Sequence, residues 1–254
     1  MEIVKGSIAI MGSGETSPAL VSVHRKFVEM LDNKVNAFLI DTPFGFQENA
    51  DVLVDKLQLF FKKSVQIEIK LASLRNTNNI DSVEYFEMLE QLKSSNFIFS
   101  GPGSPSYASK TWLHSEIPNV LTNHLKDGKN AVFSSAAAST LGEKTIPVYE
   151  IYKVGMTPFW EEGLNALELY GLSCTVVPHF NNKEGGNHDT SCSYIGKNRL
   201  NMLINEEYTN ILGIDEHTAL VINGEKEIFS VDGIGSVTVK TSNGQKVFEA
   251  GNEY

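Results

Sequence analysis

The chain has 254 residues, 41% of them hydrophobic and 20% charged, with a formal net charge of −10. That length and composition suit a single globular domain spanning 1–254, and the acidity argues against a nucleic-acid or membrane-surface partner. No apolar run is long enough to span a bilayer, no N-terminal stretch has a signal-peptide layout, and Cys174 and Cys192 form no metal or redox motif. A cytoplasmic protein with reduced thiols is therefore expected.

In chain order, residues 6–11 predict a strand that runs into Gly12-Ser13-Gly14-Glu15. Glycines at the C-terminal end of a strand, just before a helix, let the backbone approach a ligand closely. In an open α/β sheet that edge is where sites form, so Gly14 and Glu15 are candidates for substrate binding. The third glycine of a dinucleotide fingerprint is missing, and a plain tight turn is the alternative. Residues 35–40 (VNAFLI) predict a second strand ending in Asp41-Thr42-Pro43. A helix follows, with Val52, Leu53, Leu57, Phe60 and Phe61 at helical spacing. Residues 65–71 alternate as a half-buried strand, and 81–93 predict a helix with Asp81 and Glu84 as its capping pair. A strand at 97–99 then opens into a second glycine-rich loop, SGPGSPSY, whose backbone N–H groups suit an oxyanion.

Residues 130–142, NAVFSSAAASTLG, pass abruptly from an apolar run through two serines into three alanines. Alanine favours helix, so the serine corner predicts a nucleophile elbow with Ser135 at its tip, or else a helix with an ordinary serine cap. The alternation up to Gly142 predicts right-handed βαβ units, hence an open, mostly parallel sheet between helices in three layers.

Residues 146–155 (IPVYEIYKVG) mix aromatic and charged side chains. A helix is expected at 160–170 and a strand at 174–177, ending in Pro178-His179-Phe180. The polar stretch 181–191 precedes a helix through Arg199 to Leu203, and a strand at 211–214 ends in Asp215-Glu216-His217. Short alternating strands with Asn-Gly turns at 223–224 and 243–244 predict an antiparallel β extension over 217–254.

A serine nucleophile needs a base, and the base needs an orienting carboxylate. His179 and Glu216 both end predicted strands, at the sheet edge expected for Ser135, whereas His24, His114 and His124 fall in helices or turns. A rival constellation of His179, Glu184, His188, Asp189, Asp215 and His217 is rich in metal ligands, but its spacings match no zinc motif. Neither a metal nor another cofactor is expected.

These residues carry a family resemblance. GSGE from Gly12, FSGPGSP from Phe99, SSAAA from Ser134, PHF from Pro178 and GIDEHTAL from Gly213 together resemble the serine-peptidase family of aspartyl dipeptidase and cyanophycinase. The resemblance implies a flavodoxin-like, class I glutamine-amidotransferase-like fold with Ser135 as nucleophile, His179 as base and Glu216 as its partner. Amidotransferases proper have cysteine at the elbow, so ammonia transfer is disfavoured. Phe133 and Ala137 stand where the family's elbow usually has glycine, which implies a crowded turn and an altered oxyanion hole. Val177 and Asn181-Asn182-Lys183 replace the acidic residue and the arginines of the cyanophycin-degrading branch.

The resulting expectation is a serine hydrolase that cleaves a peptide or amide bond in a small substrate, as a monomer or a homodimer. Backbone N–H groups at Gly103 and Ala136 would bind the oxyanion. Segments 146–155 and 181–191 would cover the substrate, with Glu150, Lys153, Lys183 and Arg199 as polar anchors. The alternative is a non-catalytic binding or sensing module on the same fold.

Overall fold

The computed structural model describes residues 6–31, 34–226 and 228–254. Its first half repeats strand and helix: β1 (Ile8–Met11), α1 (Val21–Glu29), β2 (Ala37–Ile40), α2 (Ala50–Phe60), β3 (Ile69–Ala72), α3 (Val83–Ser94) and β4 (Phe97–Ser100). Then come α4 (Pro105–Leu113), α5 (Ile117–Lys126), β5 (Asn130–Ser134) and α6 (Ser135–Ser139). Strands β1, β5, β4, β2 and β3 lie side by side in that order, all parallel. Strands β1, β5, β4 and β2 are buried throughout, as a sheet covered on both sides requires, whereas edge strand β3 exposes Lys70. Alternation divides them between two cores. Ile8, Ile10, Phe38, Ile98 and Phe133 meet α3 and α5, whereas Ala9, Met11, Leu39, Phe99 and Val132 meet α1 and α2.

The second half adds β6 (Lys144–Thr145), β7 (Glu161–Glu162), β8 (Thr175–Val177), α7 (Gly196–Glu206) and β9 (Ile211–Ile214). Five C-terminal strands follow: β10 (Thr218–Asn223), β11 (Ile228–Gly233), β12 (Ser236–Thr241), β13 (Gly244–Glu249) and β14 (Asn252–Glu253). All five are antiparallel, as expected, and they are divided between two sheets. Strands β10, β11 and β14 continue the main sheet antiparallel beyond β1, whereas β12 and β13 join β9 and β8 in a second, four-stranded sheet. A third apolar cluster around Ile151, Val177, Cys192, Leu200 and Ile211 fills the space beneath α7.

Several local expectations shift. Ser82, not Asp81, caps α3, its hydroxyl accepting from the Tyr85 N–H at 3.2 Å. The alternation from Val65 begins inside a helical turn that Gln66 ends at φ 67, so β3 starts only at Ile69. Val52 faces solvent on α2. Residues 160–170 form no continuous helix: β7 pairs with β6, and a 3₁₀ turn covers only Ala166–Tyr170. The Gly163, Leu164 and Asn165 N–H groups donate to the Glu143, Thr140 and Gly142 carbonyls at 2.9, 2.7 and 2.9 Å, so they are taken from any helix over 160–170. Asn223 Oδ1 accepts from the N–H groups of Glu225 and Lys226, making a turn longer than two residues. In the last hairpin Ser242 and Asn243 turn the chain, and Gly244 already pairs with Thr241.

Candidate active site

Ser135 stands at the junction of β5 and α6 with φ 51, a left-handed conformation that a residue with a Cβ adopts only when its surroundings impose it. The preceding Phe133 does not crowd this turn, because its ring is buried against Trp112 at 6.4 Å between centroids. Ala137 donates its N–H to the Gly101 carbonyl at 3.1 Å, tying the corner to the loop after β4. The two serines are separated by environment. Ser134 is fully buried and donates to Glu15 Oε2 at 2.9 Å, while Ser135 lines an open cavity.

Ser135 Oγ lies 2.9 Å from His179 Nε2, and His179 Nδ1 lies 2.9 Å from Glu216 Oε1. The three side chains do not come from one sheet edge, as the sequence had suggested. Ser135 follows the main sheet, whereas His179 follows β8 and Glu216 follows β9, both in the second sheet. Gly12, at the end of β1, joins them. Its carbonyl accepts from the His179 N–H at 3.2 Å, and a Cβ on it would come 2.1 Å from the Asp215 carbonyl oxygen. Only glycine permits that approach.

Glu216 sits in a turn and not on a strand, so its selection over its neighbours comes from hydrogen bonds. Asp215 Oδ2 accepts from the N–H and hydroxyl of Ser236, both at 2.9 Å, which keeps it away from His179. His217 turns at φ 54 and its ring lies against Gly14. Glu216 Oε1 also accepts from Asn182 Nδ2 at 2.8 Å, and its own N–H donates to Asn181 Oδ1 at 2.9 Å. The His179 hydrogen bond first, and the Asn182 bond after it, hold the carboxyl below its usual range against the opposing effect of burial. Asn182 is buried. By sequence it falls in the polar stretch 181–191, where nothing marks its side chain as inward.

The cavity beside Ser135 holds about 450 Å³ and is also bordered by Gly103, Ala136, His179 and Tyr194. Gly103 has φ 145, and a Cβ on it would lie 1.9 Å from the Pro43 carbonyl oxygen. The next residue, Ser104, donates its N–H to that same oxygen at 2.8 Å, which fixes the loop's height above β4. Of the expected polar anchors, Lys153 borders the cavity, as does Glu184 from the polar stretch. Glu150 instead accepts from Ser106 at 2.7 Å, and Arg199 is exposed and donates to the Ile195 carbonyl at 3.2 Å. Lys183 is exposed and does not border the cavity, nor do Gly14 and Glu15, which sit behind the corner. A larger cleft of about 740 Å³ beside α1, lined by Arg25, Lys26 and Lys63, contains none of the three meeting side chains.

The alternative metal constellation is dispersed. His188 stacks on Tyr152 at 6.1 Å, and Asp189 accepts from Ser191 and from the Lys197 N–H, bonds that lower its carboxyl to about 2. Among the described residues no three His, Cys, Asp or Glu side chains gather to hold a metal ion.

The model of peptidase family S51 matches residues 8–229, most of the chain. The chain belongs to peptidase family S51. This is the serine-peptidase family of aspartyl dipeptidase and cyanophycinase. Solved structures agree with an S51 fold. A peptidase from an acI-B1 Actinobacterium is similar over 100% of this chain and 98% of its own, with 22% identity and a TM-score of 0.79. A putative peptidase E protein from Listeria monocytogenes EGD-e is similar over 91% of this chain and 99% of its own, with 16% identity and a TM-score of 0.59. Comparison with curated proteins finds no match. Among the described residues, no helix of this S51 member is long and apolar enough to cross a membrane.

Proposed function

We propose that the protein is a serine hydrolase that cleaves a peptide or amide bond in a small substrate through an acyl-enzyme. Ser135 Oγ attacks the carbonyl carbon while its proton passes to His179 Nε2. Glu216 holds the resulting imidazolium, and the Gly103 and Ala136 N–H groups receive the oxyanion. Collapse of the intermediate breaks the C–N bond, and the proton on Nε2 goes to the leaving nitrogen. Water then attacks the ester, giving a proton to His179, and Ser135 regains a proton as it leaves. The reading needs no cofactor and suits a single-domain cytoplasmic enzyme.

The observation that supports it most is the unbroken relay of two 2.9 Å contacts from a strained serine that faces a cavity. A fluorophosphonate probe tests it, since only an activated serine is phosphonylated at a useful rate. Wild type and Ser134→Ala should label, and Ser135→Ala should not. A folded wild type that fails to label overturns the proposal in favour of a binding module, and labelling that survives Ser135→Ala reassigns the nucleophile.

A further inference from the structure

The cavity has an aromatic wall to which hydrolysis alone assigns no task. The Tyr194 ring lies 4.9 Å from His179 and 6.0 Å from Tyr152, centroid to centroid. Strain holds Tyr194 in that place. Cys192, Ser193 and Tyr194 have φ values of 55, 57 and 67, three successive left-handed residues without a glycine among them. Each conformation costs roughly 1–2 kcal/mol. Hydrogen bonds to the segment that carries His179 enforce it: Ser193 Oγ donates to the Pro178 carbonyl at 2.8 Å, and the Cys192 N–H donates to the Phe180 carbonyl at 3.2 Å. A strained element locked against a reacting group suggests a ligand contact.

Two charges border this wall. The Lys153 ammonium is exposed and lies 4.6 Å from the Tyr152 ring centre. Glu184 stands close enough to Tyr194 that its charge adds to burial in pushing the phenol up to about 12, so the ring stays neutral. The wall flanks the imidazole that would hand its proton to the leaving nitrogen, so it meets the group attached to that nitrogen.

Resting on the hydrolase reading, we infer that Tyr194 and Tyr152 form the leaving-group subsite, which takes an amino acid with an aromatic side chain and a free α-carboxylate bound by Lys153. Glu184 repels acidic side chains from the same place. The substrate class is a short peptide ending in phenylalanine or tyrosine.

The dipeptides Ala-Phe, Ala-Ala and Ala-Asp, together with Ala-Phe amide, test this through kcat/KM. Ala-Phe should exceed Ala-Ala about tenfold, the order expected for burying a ring against aromatic partners, with Ala-Asp the poorest. Tyr152→Leu should erase the aromatic preference, and Tyr152→Phe should keep it. Lys153→Met should raise KM for Ala-Phe roughly three- to fivefold, as loss of an exposed ion pair implies, and should remove its advantage over the amide. The same ligands titrated calorimetrically into Ser135→Ala read the preference without turnover. Equal binding of Ala-Phe and Ala-Ala there overturns the subsite even if the enzyme hydrolyses both. Preferential binding of Ala-Phe without hydrolysis or probe labelling overturns the hydrolase reading and leaves an aromatic ligand site.

Discussion

Replacing Ser135 by glycine should leave the protein more stable than replacing it by alanine, the reverse of the ordinary order at a helical position. Ser135 opens α6 at φ 51, where a Cβ costs roughly 1–2 kcal/mol. Both substitutions delete the hydroxyl and so lose the same 2.9 Å contact with His179. That loss cancels between them. Glycine relieves the strain but gives the unfolded chain extra freedom, which costs about 0.4–1 kcal/mol. From the middle of those ranges the glycine variant is ahead by about 0.8 kcal/mol. For a protein of this size that difference corresponds to a melting temperature about 2–3 °C higher. Thermal melts followed by circular dichroism, at one scan rate and in one buffer, measure it. Both variants should also fail to react with the fluorophosphonate probe. A glycine variant that melts level with the alanine variant, or below it, would refute the strain at the corner and with it the elbow.

Gly103→Ala places a Cβ 1.9 Å from the Pro43 carbonyl oxygen; displacing that N–H should lower kcat on the order of 10²–10³-fold with less effect on KM, and an unchanged kcat would remove Gly103 from the oxyanion site. Glu216→Gln should cut kcat by about 10²-fold or more, because the orientation of His179 and the stabilisation of its charged form are both weakened. Asp215→Asn weakens the two bonds to Ser236 and should lower stability instead of kcat; the opposite ranking in steady-state assays would exchange their roles. Burial lowers His24 and His124 from 6.5 to about 4. The unfolded chain therefore binds more protons than the folded one between those values, and stability must fall as pH drops through that window. Urea midpoints that stay level from pH 7 to 4.5 would contradict this.

The parallel half of the fold was legible because β1, β2, β4 and β5 are short apolar runs buried on both faces, each ending in a glycine, proline or serine turn. Residues 160–170 mislead because their apolar spacing is helical while the N–H groups of 163–165 bond to the 140–143 segment instead. Ser135, His179 and Glu216 could be singled out because each follows a strand, but which sheet each strand joins is a long-range choice. Strand β12 reaches β9 across a long stretch of chain, pairing Val239 with Leu212 and Val237 with Ile214. Asn182 and Tyr194 carried no local sign. Their placement depends on Glu216 and on a left-handed turn that contains no glycine to betray it.

The seam between the two sheets runs between Ser135 and His179, with the Gly12 carbonyl as a stitch across it. Ser135 and His179 thus belong to different sheets, which meet across one apolar core where Ile8, Ile10 and Phe133 pack with Val176, Leu212 and Ile214. A slip of about an ångström at that seam would break the contact between Ser135 and His179 while leaving every strand and helix intact. Heat or mild denaturant that loosens this seam should therefore lower the proposed activity before the circular dichroism changes.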